Sequence, residues 1–257
     1  GIFNDNGAIL SITNSTLSGN SANGGGGIFN SGTLAISNST LSGNTANYGG
    51  GILNDRGTLT VTNSTLSGNT ANYGGGILND RGTLTVTNST LSGNTAGFGG
   101  GIYNKTGSTL NIANTIIANS TDGASNPIND YDGNGTVIIP ASTNNIVTLD
   151  ISTTTSAWAT TKTSAEINLG PLQDNGGPTF TMALGTGSVA IGAGNTTISN
   201  AAPINGKDQR GINRTTSDIG SYAYLAPSTA NDIVISVNTS GQVGLFLSSA
   251  GTAITDF

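Results

Sequence analysis

The sequence contains no cysteine and no histidine, and it has few charged residues. Only 8% of its 257 residues are Asp, Glu, Lys or Arg, and the net charge is −6. Without Cys and His, we exclude disulfide scaffolds, the usual zinc sites and Ser–His–Asp or Cys–His catalysis. The negative charge and the lack of a basic cluster argue against a nucleic-acid partner. No apolar run reaches the ~18 residues of a membrane-spanning helix.

Gly, Thr, Asn and Ser are abundant instead, and together they supply more than half of the chain. Such a composition can indicate disorder. Hydrophobic residues nevertheless make up 34% of the sequence, and they recur at regular intervals. Ile52, Ile77 and Ile102 lie 25 residues apart. A fixed period of this length indicates a solenoid, whose coils bury a shared core only by stacking on one another.

The pattern inside each repeat predicts an all-β fold. Leu59 and Val61 alternate with Thr residues, which is typical of a strand with one buried face. Two further strands are expected around Ile52 and Leu66, with Gly and Asn clusters at the turns. Three short strands in ~25 residues predict a parallel β-helix. Its right hand is expected from the general rule for parallel crossovers.

Stacking explains why the same residue types recur, since each position would meet its own copy one coil away. Asn amides carry both donors and acceptors, so they can bond along a column. Two such ladders are predicted, one at Asn4, Asn30, Asn54, Asn79 and Asn104 and the other at Asn20, Asn44, Asn69 and Asn94. An aromatic column is expected at Tyr48, Tyr73 and Phe98. Diagonal ion pairs are expected between Asp55–Arg56 and Asp80–Arg81. Positive φ angles are expected at the corner Gly49–Gly51.

Two short motifs in each repeat resemble those of the chlamydial polymorphic membrane proteins. In that family a Phe-x-x-Asn element precedes a Gly-Gly-Ala-Ile element. Here Leu66-Ser-Gly-Asn69 precedes Gly74-Gly-Gly-Ile77, with Leu in place of Phe and Gly in place of Ala. The resemblance covers roughly residues 1–120, and it implies a bacterial surface β-helix protein rather than a particular activity.

The second half of the chain loses the period and resembles the choice-of-anchor Q domain of secreted bacterial proteins. The resemblance rests on residues 169–181, on Gly187–Gly194 and on the segment from Asp208-Gln-Arg-Gly211 to Asp218-Ile-Gly220. This chain departs from the family at three places. The family usually has His where Met182 stands, Pro where Val189 stands, and an acidic residue near Tyr222 to Tyr224. Because the His is replaced here, the resemblance does not carry over any catalytic role of that His. We therefore predict coils over 1–125, a continuation and cap over 126–225, and a hairpin or the start of another β domain over 226–257.

The densest group of charges lies in this second half, at Asp208, Arg210, Arg214 and Asp218. We interpret it as an ion-pair cluster that holds the loop 195–220, with a ligand-binding or catalytic role as the alternative. Short strands are expected at Ile138–Ile139, Ile146–Val147, Phe180–Leu184 and Val189–Ile191.

One segment matches part of a calcium loop. Asp130, Asp132 and Asn134 supply oxygen atoms at relative positions 1, 3 and 5, and Gly135 follows at position 6. The Glu of position 12 is missing, because Ala141 stands there. Calcium is the one cofactor hypothesis for this chain, and a plain Asx turn is the alternative.

Outward-facing Thr residues form the other candidate binding surface. The array comprises Thr58, Thr60 and Thr62 beneath Thr83, Thr85 and Thr87. Regular Thr arrays occur in ice-binding β-solenoids, but Ala35 and Asn111 interrupt this one in the adjacent coils. Strand propensity alone also explains Thr at such positions.

We predict a non-enzymatic segment of a secreted bacterial cell-surface protein, either an adhesin or a fibre subunit. A polysaccharide-binding or polysaccharide-lyase β-helix and an ice-binding solenoid are the alternatives. Enzyme chemistry is disfavoured because Glu166 is the only Glu and the Asp residues are scattered. Because Gly1 opens in mid-repeat, we expect a fragment or a processed product. The expected partners are further copies, stacked head to tail, or a carbohydrate or host surface.

Overall fold

The chain winds into a parallel β-solenoid. The computed structural model describes residues 1–122, 127, 129–138, 143–149 and 158–226, and the backbone of two further strands at 232–237 and 243–248. Within these residues the solenoid makes about five turns and contains almost no helix. The predicted all-β, parallel β-helix class is therefore confirmed.

Three parallel sheets run along the solenoid within the described residues, and each coil adds one strand to each sheet. Sheet 1 contains β1 (Ile2–Asn4), β4 (Ile28–Asn30), β7 (Ile52–Asp55), β10 (Ile77–Asp80), β13 (Ile102–Asn104) and β16 (Tyr131–Asp132). Sheet 2 contains β2 (Ile9–Thr13), β5 (Thr33–Ser37), β8 (Thr58–Thr62), β11 (Thr83–Thr87), β14 (Thr109–Ala113) and β17 (Thr136–Val137). Sheet 3 contains β3 (Thr16–Ser18), β6 (Thr40–Ser42), β9 (Thr65–Ser67), β12 (Thr90–Ser92), β15 (Ile116–Ala118), β18 (Asn145–Val147) and β19 (Ala159–Thr161).

The register between coils pairs each residue with its counterpart in the repeat. Ile52 pairs with Ile77, and Leu59 pairs with Leu84. The side chains that the alternation predicted to point inward are fully buried, Leu59 and Val61 among them. Burying one such side chain contributes about 1.5–3 kcal/mol. The core is thus a set of aliphatic columns. Within each column, successive residues lie roughly 4.8 Å apart, which is the distance between neighbouring strands.

The Gly-Gly-Gly corner before β4, β7, β10 and β13 serves two purposes. Only its first residue needs a left-handed backbone, as at Gly49 with φ +66°. At Gly50 a Cβ atom would lie 2.6 Å from the backbone oxygen of Gly75, and at Gly51 it would lie 2.5 Å from that of Gly76. The expectation of positive φ at all three residues was therefore wrong. The second and third glycines are required because neighbouring coils approach closely.

Strands β16 to β19 extend the stack beyond the repeats. Strands β16, β17 and β18 pair with the fifth coil, and β19 pairs with β18. Trp158 is buried with its ring edge against Tyr131, at a centroid distance of 5.2 Å. Of the strands predicted here, Ile146–Val147 falls within β18, whereas Ile139 lies outside the described residues.

Residues 162–226, which we call the arm, turn back and pack along the side of sheet 3. The arm contains α1 (Ser164–Ile167), β20 (Leu169–Gln173), β21 (Thr181–Leu184) and α2 (Thr196–Asn200). It contacts the second coil where Thr179 Oγ1 donates to Asn38 O at 3.1 Å, and the third where Asn63 Nδ2 donates to Lys207 O at 3.0 Å. This part of the predicted continuation and cap over 126–225 therefore lies along the flank of the solenoid, and the division of the chain into domains stays a prediction. The predicted strand at Val189–Ile191 is a turn.

A second apolar cluster fixes the arm near the end of the coils. It joins coil residues of sheet 3 to residues of the arm, and its members are Ile116, Ala118, Ile146, Ile167, Leu184, Ala190 and Ile219. Beyond the arm, β22 (Asp232–Val237) and β23 (Val243–Ser248) pair as antiparallel strands.

Candidate functional site

The outer face of sheet 1 carries most of the exposed large hydrophobic side chains of the described coils. We call it the aromatic face. It comprises Phe3, Phe29, Leu53, Leu78 and Tyr103 on the strands, and Tyr48, Tyr73 and Phe98 at the preceding corner. Phe3 is 66% exposed, Tyr48 46% and Phe98 51%. Leu53 and Leu78 are buried, so the aromatic rings supply the exposed part of this face. Exposed apolar side chains grouped on one face are typical of an interaction site.

The corner residues form a continuous aromatic column. The rings of Tyr48 and Tyr73 are 5.8 Å apart with an interplanar angle of 8°, and those of Tyr73 and Phe98 are 5.3 Å apart at 7°. Both faces of the Tyr73 ring are therefore covered by its column neighbours. Tyr103 packs against the column with a tilted ring, 5.8 Å from that of Tyr73.

A ladder of alternating charges borders the aromatic face. Arg81 lies 3.8 Å from Asp55 in the coil before it, and Lys105 Nζ donates to Asp80 Oδ2 at 2.6 Å. Partial burial alone would raise the pKa of Asp80, but Lys105 and Arg81 outweigh it and hold that pKa below its usual value. One diagonal ion pair expected from the sequence, Asp55 with Arg81, is present, whereas Arg56 lies 3.6 Å from Asp55 of its own coil. The ladder leaves this border close to neutral.

The two Asn ladders lie inside the coils. In the first, Asn54 Nδ2 donates to Asn79 Oδ1 at 2.8 Å, and Asn79 Nδ2 donates to Asn104 Oδ1 at 2.9 Å. In the second, the amides of Asn44, Asn69 and Asn94 bond in the same way, and their Oδ1 atoms also accept from backbone N–H groups. These amides are buried and use their hydrogen-bonding groups within the stack, so they support the coil and do not face a ligand.

The Thr array on sheet 2 is only partly open to solvent. Its first column, Thr58 and Thr83, is exposed, and Thr60, Thr85 and Thr87 are half-buried. Thr62, by contrast, is 4% exposed because the arm docks at the adjoining turn. The expectation of an outward array of six Thr side chains is therefore corrected, and ice binding stays a prediction without added support.

The arm contacts a column of Thr side chains on sheet 3 through the buried side-chain amide of Gln209. Gln209 Nε2 donates to Thr40 Oγ1 and to Thr179 Oγ1, both at 2.9 Å. Gln209 Oε1 accepts from Thr65 Oγ1 at 2.7 Å. Ser221 continues the contact, since its backbone N–H donates to Thr90 Oγ1 at 3.1 Å.

The charged residues near Gln209 contact one another and the backbone of the arm. They are Asp208, Arg210, Arg214 and Asp218. Asp208 and Arg210 form a buried ion pair at 2.7 Å, and the Arg210 guanidinium lies 3.7 Å from the ring centroid of Tyr222. Arg214 donates to backbone carbonyls, among them Gly220 O at 2.8 Å, while the Asp218 carboxylate accepts from the backbone N–H groups of Gly192 and Tyr224. Burial lowers the pKa of Arg214, and its attraction to Asp208 and Asp218 opposes that effect. Each side chain thus holds a segment of the loop 195–220.

The proposed calcium ligands do not share one environment. Asp130 is fully buried, and its carboxylate accepts from the backbone N–H groups of Ser120, Thr148 and Leu149. Asp132 accepts from Gly133 N at 2.6 Å, and Asn134 is exposed. Burial raises the pKa of Asp130, and these donors oppose part of the rise. In the described part of the chain, no group of three or more acidic side chains could hold a metal ion.

Sequence reasoning missed the arm interface, above all Gln209. Its neighbours Asp208, Arg210 and Gly211 were singled out, but nothing local indicates that the amide between them contacts Thr residues about 140 to 170 positions earlier. The repeated Thr at positions 40, 65 and 90 was the one available signal, since these residues lie on a strand face that had no assigned partner.

Comparison with known families gives one match. Residues 88–105 match the family model of the Chlamydia polymorphic membrane protein (Chlamydia_PMP) repeat. The matched range includes Leu91–Asn94 and Gly99–Ile102, the two motifs on which the resemblance rested. No curated protein and no solved structure matches the chain.

The repeat match supports a surface-exposed structural or adhesin-like role of the kind found in bacterial outer-surface proteins. The likeness of residues 169–224 to the choice-of-anchor Q domain stays a prediction. Among the described residues, no helix is long and apolar enough to cross a membrane.

Proposed function

We propose that this chain is a non-enzymatic, adhesive segment of a secreted bacterial cell-surface protein, and that it makes contact through the aromatic face. The observation that carries the proposal is the exposure of Phe3, Tyr48 and Phe98 on one flank of a solenoid whose buried polar groups bond within the stack. Aromatic residues are enriched at the centres of protein interfaces. A rigid scaffold that presents such a row needs no reacting group.

The disposition of the acidic side chains supports the non-enzymatic part of the proposal. Glu166 serves in the capping box of α1, where Thr163 N donates to its carboxylate at 2.8 Å, and it lies 3.5 Å from Lys162. Asp130, Asp208 and Asp218 are buried and bonded to backbone N–H groups. A glycosidase needs two carboxylates that flank the scissile bond from an open site, and these four carboxylates are engaged elsewhere.

Adhesion of beads coated with the purified chain to cultured epithelial cells tests the proposal. One variant replaces Phe3, Tyr48 and Phe98 by Ser on the aromatic face. The matched control replaces the exposed Thr33, Thr58 and Thr83 of sheet 2 by Ala. We expect the first variant to lose about ten-fold or more of the adhesion, and the control to retain it. Equal adhesion of the wild type and the aromatic-face variant, or no adhesion by either, would overturn the proposal.

A second assay addresses the alternatives. The chain is incubated with pectin and alginate while unsaturated oligosaccharides are measured, and thermal hysteresis is recorded on cooling. We expect neither signal. Release of unsaturated products would replace the adhesin proposal with a lyase, and hysteresis would replace it with an ice-binding solenoid.

A further inference from the structure

The aromatic column stops at Tyr48, and this leaves one ring face uncovered by the column. Tyr73 is stacked between Tyr48 and Phe98, but the residue paired with Tyr48 in the preceding coil is Gly24. Gly24 has no side chain to place over the ring. Tyr48 is correspondingly 46% exposed, whereas Tyr73 is half-buried.

The space beside Gly24 has apolar walls. A Cβ atom built on Gly24 would lie 3.0 Å from Leu53 Cδ2 and 3.7 Å from Phe29 Cδ2. The Phe29 ring is itself stacked on Phe3, at a centroid distance of 5.2 Å. We call this site the Tyr48 notch, and define it by Asn23, Gly24, Phe29, Asn47 and Tyr48.

Two exposed amides form the rim of the notch. Asn23 precedes Gly24 and Asn47 precedes Tyr48, and Asn47 Nδ2 donates to Asn23 Oδ1 at 2.6 Å. Asn47 Oδ1 also accepts from Asn72 Nδ2 at 3.5 Å. An Asn side chain has two N–H donors and two acceptor lone pairs, so both amides keep capacity for a ligand. The notch therefore combines an aromatic floor, an apolar wall and a polar rim.

We infer that the Tyr48 notch binds one unit of a neutral saccharide. A pyranose ring has an apolar C–H face, which can stack on an aromatic ring, and an edge of hydroxyl groups, which can bond to amides. The five residues of the notch carry no charge, so nothing in it offers an ionic partner to a sulfated, phosphorylated or uronic unit. A purely apolar ligand would leave the amide rim unused.

The inference rests on the proposed function, because it names the class of ligand that one part of the aromatic face would take. It differs from that proposal in scale. Adhesion draws on the whole aromatic face, whereas the saccharide unit depends on the open face of Tyr48. The two can therefore fail separately.

Titration calorimetry of the full chain tests the inference with three probes: hexamers of β-1,4-glucose, of β-1,4-N-acetylglucosamine and of α-mannose. Gly24→Leu places an aliphatic side chain beside Tyr48. Its Cβ would lie 3.0 Å from Leu53 Cδ2, so the end of the flexible Leu53 side chain has to shift by a few tenths of an ångström. Tyr48→Leu removes the ring. We expect each variant to bind at least one probe about ten-fold more weakly than the wild type does.

Phe98→Leu is the matched control, because Phe98 belongs to the same column and is similarly exposed but lies two coils from the notch. It should bind within about two-fold of the wild type. Far-ultraviolet circular dichroism confirms that all three variants are folded. Wild-type affinity in Gly24→Leu, or equal weakening in Phe98→Leu, would overturn the inference.

The absence of binding to all three probes would also overturn it. If adhesion in the bead assay still depended on the aromatic face, the occupant of that face would be a protein surface. The proposed function would then stand without the saccharide.

Discussion

The repetitive coils and the arm satisfy their polar groups in opposite ways. In the coils a buried side chain bonds to its own copy, as Asn54 does to Asn79 and Asn79 to Asn104. In the arm the buried polar groups that dock it have partners of a different kind. Gln209 bonds to Thr65, and Asp208 pairs with Arg210.

This difference separates two sources of specificity. A ladder of identical residues stabilises the stack but cannot distinguish one coil from the next, because every register offers the same partners. The arm contacts that same repeated Thr column, so those contacts alone would permit a shift by one coil. Ile116 ends the column, since it stands where the earlier coils have Thr90 and Thr65. The apolar cluster around Ile116 therefore fixes where the arm docks.

The largest expected effect comes from breaking a ladder. Asn79→Leu would leave the amide oxygen of Asn104 without its donor and would remove the acceptor that Asn54 Nδ2 contacts at 2.8 Å. We expect a loss of about 3 kcal/mol in the free energy of unfolding, because buried polar groups without partners cost about 1–3 kcal/mol each. Urea denaturation measures it.

The control for this ladder is Asn72→Leu, which alters an exposed amide of the same coil. It should change the free energy of unfolding by less than about 0.5 kcal/mol. If the two variants were equally stable, the ladders would not be what holds the coils together.

Removal of the amide that docks the arm should have a smaller and more local effect. Gln209→Leu removes the bonds to Thr40, Thr65 and Thr179. We expect about 2 kcal/mol of destabilisation, and hydrogen exchange should accelerate in residues 162–226 while the coils stay protected. Gln173→Leu, at an exposed position in β20, is the control. Uniform loss of protection over coils and arm would show that the two regions unfold as one unit.

A third prediction concerns Asp130, which joins the last repeat to the segment beyond it. Asp130→Asn replaces a carboxylate oxygen that accepts from Thr148 and Leu149 with an N–H donor. We expect a loss of about 1–2 kcal/mol, measured as a lower melting temperature. Asp132→Asn should have little effect, because Asp132 accepts only from the adjacent Gly133 among the described contacts.

The same samples test the calcium hypothesis. We expect added calcium to leave the melting temperature of the wild type unchanged. A calcium-dependent rise that both Asp variants abolish would instead establish a metal site and contradict the structural interpretation of Asp130.

The smallest effect is expected at the charge ladder. Lys105 helps to lower the pKa of Asp80 in the folded chain, so this pair stabilises the fold at pH values above the usual pKa of Asp. That stability is lost as the pH falls through the lowered pKa, from about pH 5 downwards. Lys105→Gln should therefore cost a few tenths of a kcal/mol near pH 7 and nothing in strong acid. A difference that grew on acidification would contradict this sign.

Much of the fold could be predicted from local pattern. The alternation around Leu59 and Val61 indicated the strand and its buried face, and the 25-residue spacing of Ile52, Ile77 and Ile102 indicated the stack. The aromatic column and the diagonal ion pair between Asp55 and Arg81 followed as well, because stacking makes equivalent positions neighbours. The candidate site was harder to predict from the sequence. The column was expected, but the open face of Tyr48 depends on Gly24, which breaks a pattern that the neighbouring coils keep.

The sequence by itself determined the coils. A repeat of period 25 with inward Leu, Val and Ile buries these side chains when its coils stack on one another. Asn at fixed positions can form the ladders, and Gly at fixed positions can form the corners. Only the tertiary structure decided where the arm lies and which Thr side chains it covers. Those contacts join residues more than 100 positions apart, and they depend on the shape of a surface that exists only after the coils have stacked.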